Sequence, residues 1–472
     1  MAVISQQQGC SRSFERSAPY ADVTVTMRAN FTTCFVPLTV LLLVQATGQL
    51  PAQESIRLTE EFQPGHASRV DVSVKLAGKL VVPLEKGQAP QLVPLSGSSR
   101  VLYEERVLPP DEPGTLKAIR AYREVAFVRT LGDFTQDAGI RPSVRRMVVI
   151  QADNRRAPFS PDGPLTWGEI DVVRTDVFNP TLVPGLLPAA PVRIGQTWTA
   201  TGAAVTELTD LRKVDSGELS VELLGVTTVQ QRRVARLKIT GTIRGINDDG
   251  PNRQKLEGTA YFDLDGKFLS YLSLKGTHEL LDAAGQVAGQ IDGQFTMTRA
   301  LLTQLPPDLS DASLKGLDLK PTAENTLLLY DNTQLGVRFL YPRGWRVGAV
   351  QGKQVTLDHA RGAGALITVE AANRVPTVED YRQEALAFLA KQKAEVKASS
   401  KPQRIRAEPV QLDRFGLDVA FGAEPVRLEY AVLKQRDGGV TLAVRIPASE
   451  AAALEPEIDR LIRSLSVTKT IE

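Results

Sequence analysis

Cysteine is nearly absent from this 472-residue chain: Cys10 and Cys34 are the only two, both near the N-terminus. The rest of the chain therefore holds neither a disulfide nor a thiolate metal site. Histidine is also scarce. His66, His278 and His359 lie far apart, with no pair at metal-ligand spacing. Neither sign of charge dominates, with 56 Lys+Arg against 54 Asp+Glu, so no net field draws in nucleic acid or anionic lipid. Aromatic residues make up 6% of the chain and the basic residues are scattered. A nucleic-acid reader would show a basic stripe with stacking aromatics. No Gly-x-Ser-x-Gly elbow, Walker-type loop or dinucleotide fingerprint occurs; Gly285, Gly289 and Gly293 recur every four residues along a strand pattern.

Long apolar runs are missing too. The longest, Phe35 to Val44, spans ten residues, about half of the ~20 that a membrane-spanning helix needs. It follows Met27-Arg28 and precedes the small residues Ala46, Gly48 and Ala52. A short basic region, a short apolar core and small residues at the cut are the parts of a secretory signal peptide. Residues 27–52 are therefore expected to be a signal peptide, with residues 1–26 a non-native extension ahead of the true start. The mature chain is expected to be exported, to the periplasm or beyond, with no stable transmembrane segment.

What is present is mostly strand pattern. Val70, Val72, Val74 and Leu76 alternate with Asp71, Ser73 and Lys75, the period-2 signature of a strand with one buried face. The same alternation runs through Leu237 to Gly245, Gly258 to Leu264, Leu272 to Leu280 and Val287 to Met297. Glycine recurs on the apolar side of these strands, which suits a sheet bent around a core or a helix. Residues 55–304 are thus expected to form one β-rich domain, a strongly curved antiparallel sheet or a barrel. Leu116 to Val128 has a mixed pattern that fits either a helix in the concavity or another long strand. The stretch from Ser160 to Trp198, rich in Pro and Gly, is expected to be a long ordered loop crossing the sheet. Asp265-Gly266 is expected to supply a tight turn with positive φ.

Residues 305–324 carry three prolines with little periodicity and are expected to be a linker. Beyond them, 325–469 mixes strands with helices. Thr377 and Asp380 form a capping pair ahead of a helical stripe, and a closing helix places Leu454, Ile458, Leu461 and Ile462 on one face. The sequence Phe339-Leu340-Tyr341-Pro342-Arg343-Gly344-Trp345, with this order of elements and the final helix, resembles the PsbP-like α/β/α sandwich family. The resemblance covers about 140 residues through scaffold positions and implies a fold without a site. Ser160-Pro161-Asp162-Gly163-Pro164-Leu165 and Val192-x-Ile194-Gly195-x-Thr197-Trp198 make the first domain similar to uncharacterised exported proteins of planctomycete-type bacteria, a likeness that implies no activity. The expected fold class is therefore α+β: a curved or barrel-like β domain followed by a PsbP-like α/β domain.

Few residues invite a chemical role. His278-Glu279-Leu280-Leu281-Asp282 begins like a zincin motif, but an aspartate replaces the second histidine, and on a strand His278 and Glu279 face opposite ways. Asp263-Leu264-Asp265-Gly266 begins like a calcium loop but lacks the later ligands. The parity of His278 is unusual, because it falls with Leu274 and Leu280 on the apolar face. A histidine there must find a partner, line a cavity or sit at a frayed end. His278 is accordingly the one candidate cavity residue, and no catalytic, cofactor or metal residue is assigned. The expected function is that of a non-catalytic envelope protein that binds an apolar ligand or a protein partner, without a cofactor and without nucleic acid. The alternative is a hydrolase with a carboxylate site that sequence spacing conceals.

Overall fold

The structure is a computed structural model that describes residues 55–82, 91–152, 155–247, 249–407 and 409–471. The expected signal peptide and N-terminal extension lie outside the described residues. The first strands are β1 (Ala67–Val82), β2 (Gln91–Val107), β3 (Leu116–Leu131), β4 (Phe134–Ala138), β5 (Arg146–Ala152) and β6 (Arg155–Phe159). Helices α1 (Trp167–Val173) and α2 (Asn179–Leu186), the short β7 (Thr197–Thr199) and helix α3 (Gly202–Thr209) follow. Five long strands then meander: β8 (Lys213–Val229), β9 (Arg232–Asn247), β10 (Gly250–Asp263), β11 (Phe268–Leu281) and β12 (Val287–Leu301).

All twelve strands form one antiparallel sheet in the order β6-β5-β3-β2-β1-β12-β11-β10-β9-β8-β7, with β4 paired to β3. The two ends of that path do not pair, so the sheet is open and no barrel closes. The ambiguous segment from Leu116 is a strand, β3. The connection from β6 to β7 does run from one edge to the other, but it is helical where a loop was expected. A capping box starts α1: Thr166 Oγ1 accepts from the Glu169 amide, and Glu169 Oε2 accepts from the Thr166 amide. Side chains of α2 and α3 (Leu182, Val183, Leu186, Ala204) share one core with Val70, Tyr103, Leu219, Leu237, Leu272 and Met297, drawn from strands across the sheet. One set of short helices thus fills a concavity that many strands line.

The bending shows in the glycines. A Cβ on Gly241 would overlap the Glu218 carbonyl oxygen, and one on Gly258 would overlap the Ser273 carbonyl oxygen, both on neighbouring strands. Where a sheet coils this tightly, adjacent strands approach on the inner face and leave no room for a side chain. One turn differs in detail from the expectation. Asp263 Oδ1 accepts from the amides of Asp265 and Gly266 at 3.0 and 2.8 Å, and the positive φ, 57°, falls on Lys267.

Residues 305–324 pack along the outer face. Helix α4 (Asp311–Leu314) lies in this segment, and Leu309 and Leu314 are buried against Leu108, Ile119, Val148 and Phe159. Arg106 donates to the Leu309 carbonyl at 2.8 Å and Arg146 to that of Ser313 at 3.2 Å.

The C-terminal portion begins with β13 (Leu328–Asn332) and β14 (Val337–Tyr341), then β15 (Trp345–Gln351), β16 (Gln354–His359) and β17 (Gly364–Glu370). Helix α5 (Val378–Lys391), strands β18 (Glu395–Ser399), β19 (Gln403–Arg406), β20 (Gln411–Phe421), β21 (Glu424–Gln435) and β22 (Gly438–Pro447), helix α6 (Ala451–Ser464) and β23 (Ser466–Val467) complete it. Eight strands form a sheet ordered β15-β16-β17-β22-β21-β20-β18, with β19 on β20, while β13-β14-β23 make a small third sheet. Val378, Ala385 and Leu389 of α5 pack on Phe415, Leu417 and Val419. Leu454, Ile458 and Leu461 of α6 share a core with Leu412, Leu433 and Leu442, which have the opposite parity. The eight-stranded sheet therefore lies between two helices. The small third sheet meets the loop that leads into α1, where Leu165 bridges Leu328 in parallel and the Leu329 amide donates to the Leu165 carbonyl at 2.8 Å.

Of the described residues, 55% are strand and 16% helix, in three antiparallel sheets. The α+β class expected from the sequence is thereby corrected to a mostly β fold, and the barrel alternative to an open sheet. The helices are too short and too few to form layers of their own along most of the chain.

Candidate ligand-binding groove

The concave face of the first sheet is not completely filled by its helices. Toward one end, Leu76 and Leu80 of β1, Leu95 of β2, Phe127 and Leu131 of β3 and Ile291 of β12 line a cavity of about 290 Å³. Gly168, Asp171 and Val172 of α1 form its opposite wall. The aliphatic lining follows from period-2 alternation, because each of these strands turns one parity inward. Polar groups gather at one side: Arg129 donates to Gln136 Oε1 at 2.6 Å and lies 5.6 Å from the Phe127 ring. Burial draws the Arg129 guanidinium below its ordinary pKa, opposed by the Asp171 and Asp249 carboxylates. Phe134 pairs with Leu131, shares its face, and is 68% exposed. The apolar face thus continues outward past the cavity lining.

A second, inner cavity of about 150 Å³ adjoins the first, with Ile291 in the wall of both. Its lining includes Val74, Leu208, Leu256, Leu274 and Phe295, together with Gln254 and His278. Gln254, His278 and Ile291 stand side by side in register across β10, β11 and β12. Gln254 Nε2 donates to the Thr209 carbonyl at 2.9 Å and to Asn252 Oδ1 at 3.2 Å. His278 Nε2 is buried and has no hydrogen-bond partner. Desolvation lowers the imidazole pKa to about 4, so the ring is neutral at neutral pH.

The connection over the groove is held by buried charge. Arg120 is 1% exposed; it donates to Glu105 Oε2 at 2.7 Å, Asp176 Oδ2 at 2.5 Å and the Val177 carbonyl at 3.2 Å. Its guanidinium also lies 4.3 Å from the centre of the Tyr103 ring. Arg156 donates to Asp176 Oδ1 at 2.8 Å, and the Phe178 amide donates to Glu207 Oε1 at 2.5 Å. Burial raises the Glu207 pKa while Arg156 opposes the shift. These bonds pin residues 176–178, between α1 and α2, to β2, β3, β6 and α3.

The structure places the sequence candidates apart. His278 lines the inner cavity, whereas Glu279 faces the other way and pairs with Arg253. His66 Nδ1 lies 3.0 Å from the Glu61 carbonyl oxygen. The His359 ring packs on Trp345, whose Nε1 donates to Glu457 at 2.8 Å. Among the described residues, no three His, Cys, Asp or Glu side chains gather as a metal site would require. Asn252 and Gln254 escaped the sequence reading although their parity matches Leu256 and Ala260, the signal that singled out His278. Arg120 and Asp176 had no such signal, since the contact joins residues 56 apart.

No family model and no curated protein matches this chain. Among solved structures, cyanobacterial PsbP (CyanoP) from Synechocystis sp. PCC 6803 aligns at 19% identity over 30% of this chain and 92% of its own, with a TM-score of 0.25. MucB in complex with MucA(peri) aligns at 12% identity over 85% and 93%, with a TM-score of 0.16. DynF from Micromonospora chersina aligns at 9% over 55% and 90%, with a TM-score of 0.15. Among the described residues, no helix is long and apolar enough to cross a membrane.

Proposed function

We propose that the concave face of the first sheet binds a small apolar or amphipathic ligand, and that the protein does so as an exported envelope component. The observation that carries this reading is the cavity of about 290 Å³ with an aliphatic lining and polar groups to one side. Ligand sites in proteins are concave, mostly apolar, a few hundred Å³ and upward in volume, and carry a few placed polar groups. A folded chain gains dispersion contacts by closing voids, so a void kept open beside Arg129, Gln136 and Asp171 fits a role in binding. Exposed Phe134 extends the apolar surface outward from the cavity and gives an incoming ligand a first contact. The arginine–carboxylate bonds at residues 176–178 keep the helices from collapsing into the groove.

The test is titration of the full chain with the neutral fluorophore N-phenyl-1-naphthylamine. Saturable enhancement is expected in the unaltered protein. Ala138→Phe, which projects a ring from the cavity wall, should weaken it about tenfold or more, equivalent to about 1.4 kcal/mol. Unsaturable binding, or equal affinity in Ala138→Phe, would refute the reading.

A further inference from the structure

The inner cavity carries chemistry that the outer one lacks. On an apolar sheet face, each polar side chain must find a partner or pay for its desolvation. Asn252 and Gln254 comply: Asn252 Nδ2 donates to the Gly250 carbonyl at 3.2 Å, and Gln254 is held by Thr209 and Asn252. His278 does not. Its Nε2 is the one buried side-chain nitrogen or oxygen without a partner among the described residues lining this cavity.

The space beside the ring arises from the backbone. Gly276 and Gly293 face each other directly across β11 and β12; Leu256 Cδ2 fills the space at Gly276, 2.6 Å from where a Cβ would sit, so the opening lies at Gly293. The nearest atom to a Cβ placed on Gly293 is the Lys75 carbonyl oxygen at 3.8 Å. That opening, walled by Val74, Leu256, Leu274 and Phe295, is the cavity of about 150 Å³. A void of roughly this volume accepts a benzene-sized molecule, whereas a buried water wants about three hydrogen-bond partners to be held. One unspent nitrogen in a partly open, mostly apolar pocket edged by Thr277 and Gln294 satisfies a single polar atom on an otherwise apolar group better than it satisfies a water held by that one bond.

We infer that the inner cavity is a subsite for the hydroxyl-bearing apolar end of an amphiphile, whose O–H group hydrogen-bonds His278 Nε2. This rests on the reading of the groove as a ligand site. A hydroxyl suits the ring because it both donates and accepts, and so matches either neutral tautomer. A charged head group does not suit it: no described cavity-lining side chain is charged, and an unpaired ion would be desolvated. The ligand would enter past Phe134, place its body against Leu80, Leu95 and Ile291, and seat its hydroxyl end on His278.

The test compares phenol with toluene, which differ by one hydroxyl in place of one methyl. Calorimetric titration of the full chain gives the ratio of the two affinities, and His278→Leu is expected to lower that ratio about tenfold. Replacing a partnerless buried nitrogen with carbon should leave folding intact, which a thermal melt checks. Independently, the ¹⁵N resonance of His278 Nε2 in the unaltered protein should move much further with phenol than with toluene. A ratio unchanged in His278→Leu, with an indifferent Nε2 resonance, overturns the inference while the groove reading stands. So does binding of N-phenyl-1-naphthylamine without binding of either small probe. Absence of saturable binding by all three probes overturns both.

Discussion

Two glycines on the same inner face should respond in opposite ways to the same substitution. In Gly258→Ala the new methyl would overlap the Ser273 carbonyl oxygen and lie 2.6 Å from Leu274 Cδ2. The carbonyl belongs to a strand paired on both sides, so it cannot swing away without breaking ladder bonds. Overpacking of this kind costs about 1–3 kcal/mol. In Gly293→Ala the methyl meets nothing nearer than 3.8 Å. Neither glycine has positive φ, so backbone strain does not enter. Alanine at position 293 should therefore stabilise by about 0.4–1 kcal/mol, through the lower entropy of the unfolded chain. The two variants should differ by roughly 1.5–4 kcal/mol when these ranges are combined. Urea titration followed by far-ultraviolet circular dichroism would measure this as midpoints on either side of the unaltered protein. Midpoints that move together would refute the claim that tight coiling of the sheet, and not glycine content alone, sets these positions.

Two further outcomes follow from the buried charges and from His278. Arg120→Met leaves the Glu105 and Asp176 carboxylates buried without their central partner and should cost about 3–5 kcal/mol; a loss below about 1 kcal/mol in urea titration would show that the pairs are dispensable. The His278 pKa falls from 6.5 to about 4 on folding, so the unfolded chain binds more protons between those values. Its contribution is therefore intact above pH 6.5, is lost as pH falls toward 4, and amounts to about 3 kcal/mol at most. His278→Leu should flatten that part of the pH–stability profile, and an unchanged profile would contradict the burial of the ring.

Much of this architecture was legible because it is local. Alternation in Val70 to Leu76 and in Leu237 to Gly245 marks strands and their inner faces, since the side-chain period of a strand is two whatever it pairs with. Whether the sheet closes is a different matter. An open and a closed sheet share the same alternation, and only the unpaired edges β6 and β7 distinguish them. The helices α1 and α2 were hidden by Pro180, Pro184 and neighbouring glycines, although Thr166 and Glu169 already spelled a capping box. The segment 305–324 looked like a spacer because its apolar residues follow no period. Leu309 and Leu314 are buried by the outer face of β3 and β5, a surface supplied by distant sequence.

The groove divides in the same way. The parity of His278 alone put it on an apolar face, because alternation along one strand needs no knowledge of the rest of the chain. That its Nε2 lacks a partner, that Gly276 faces Gly293, and that Arg120 meets Asp176 could be decided only by tertiary structure. Each depends on register between strands or on contacts across the fold, and those are set by the packing energy of the whole chain and not by any one segment's pattern.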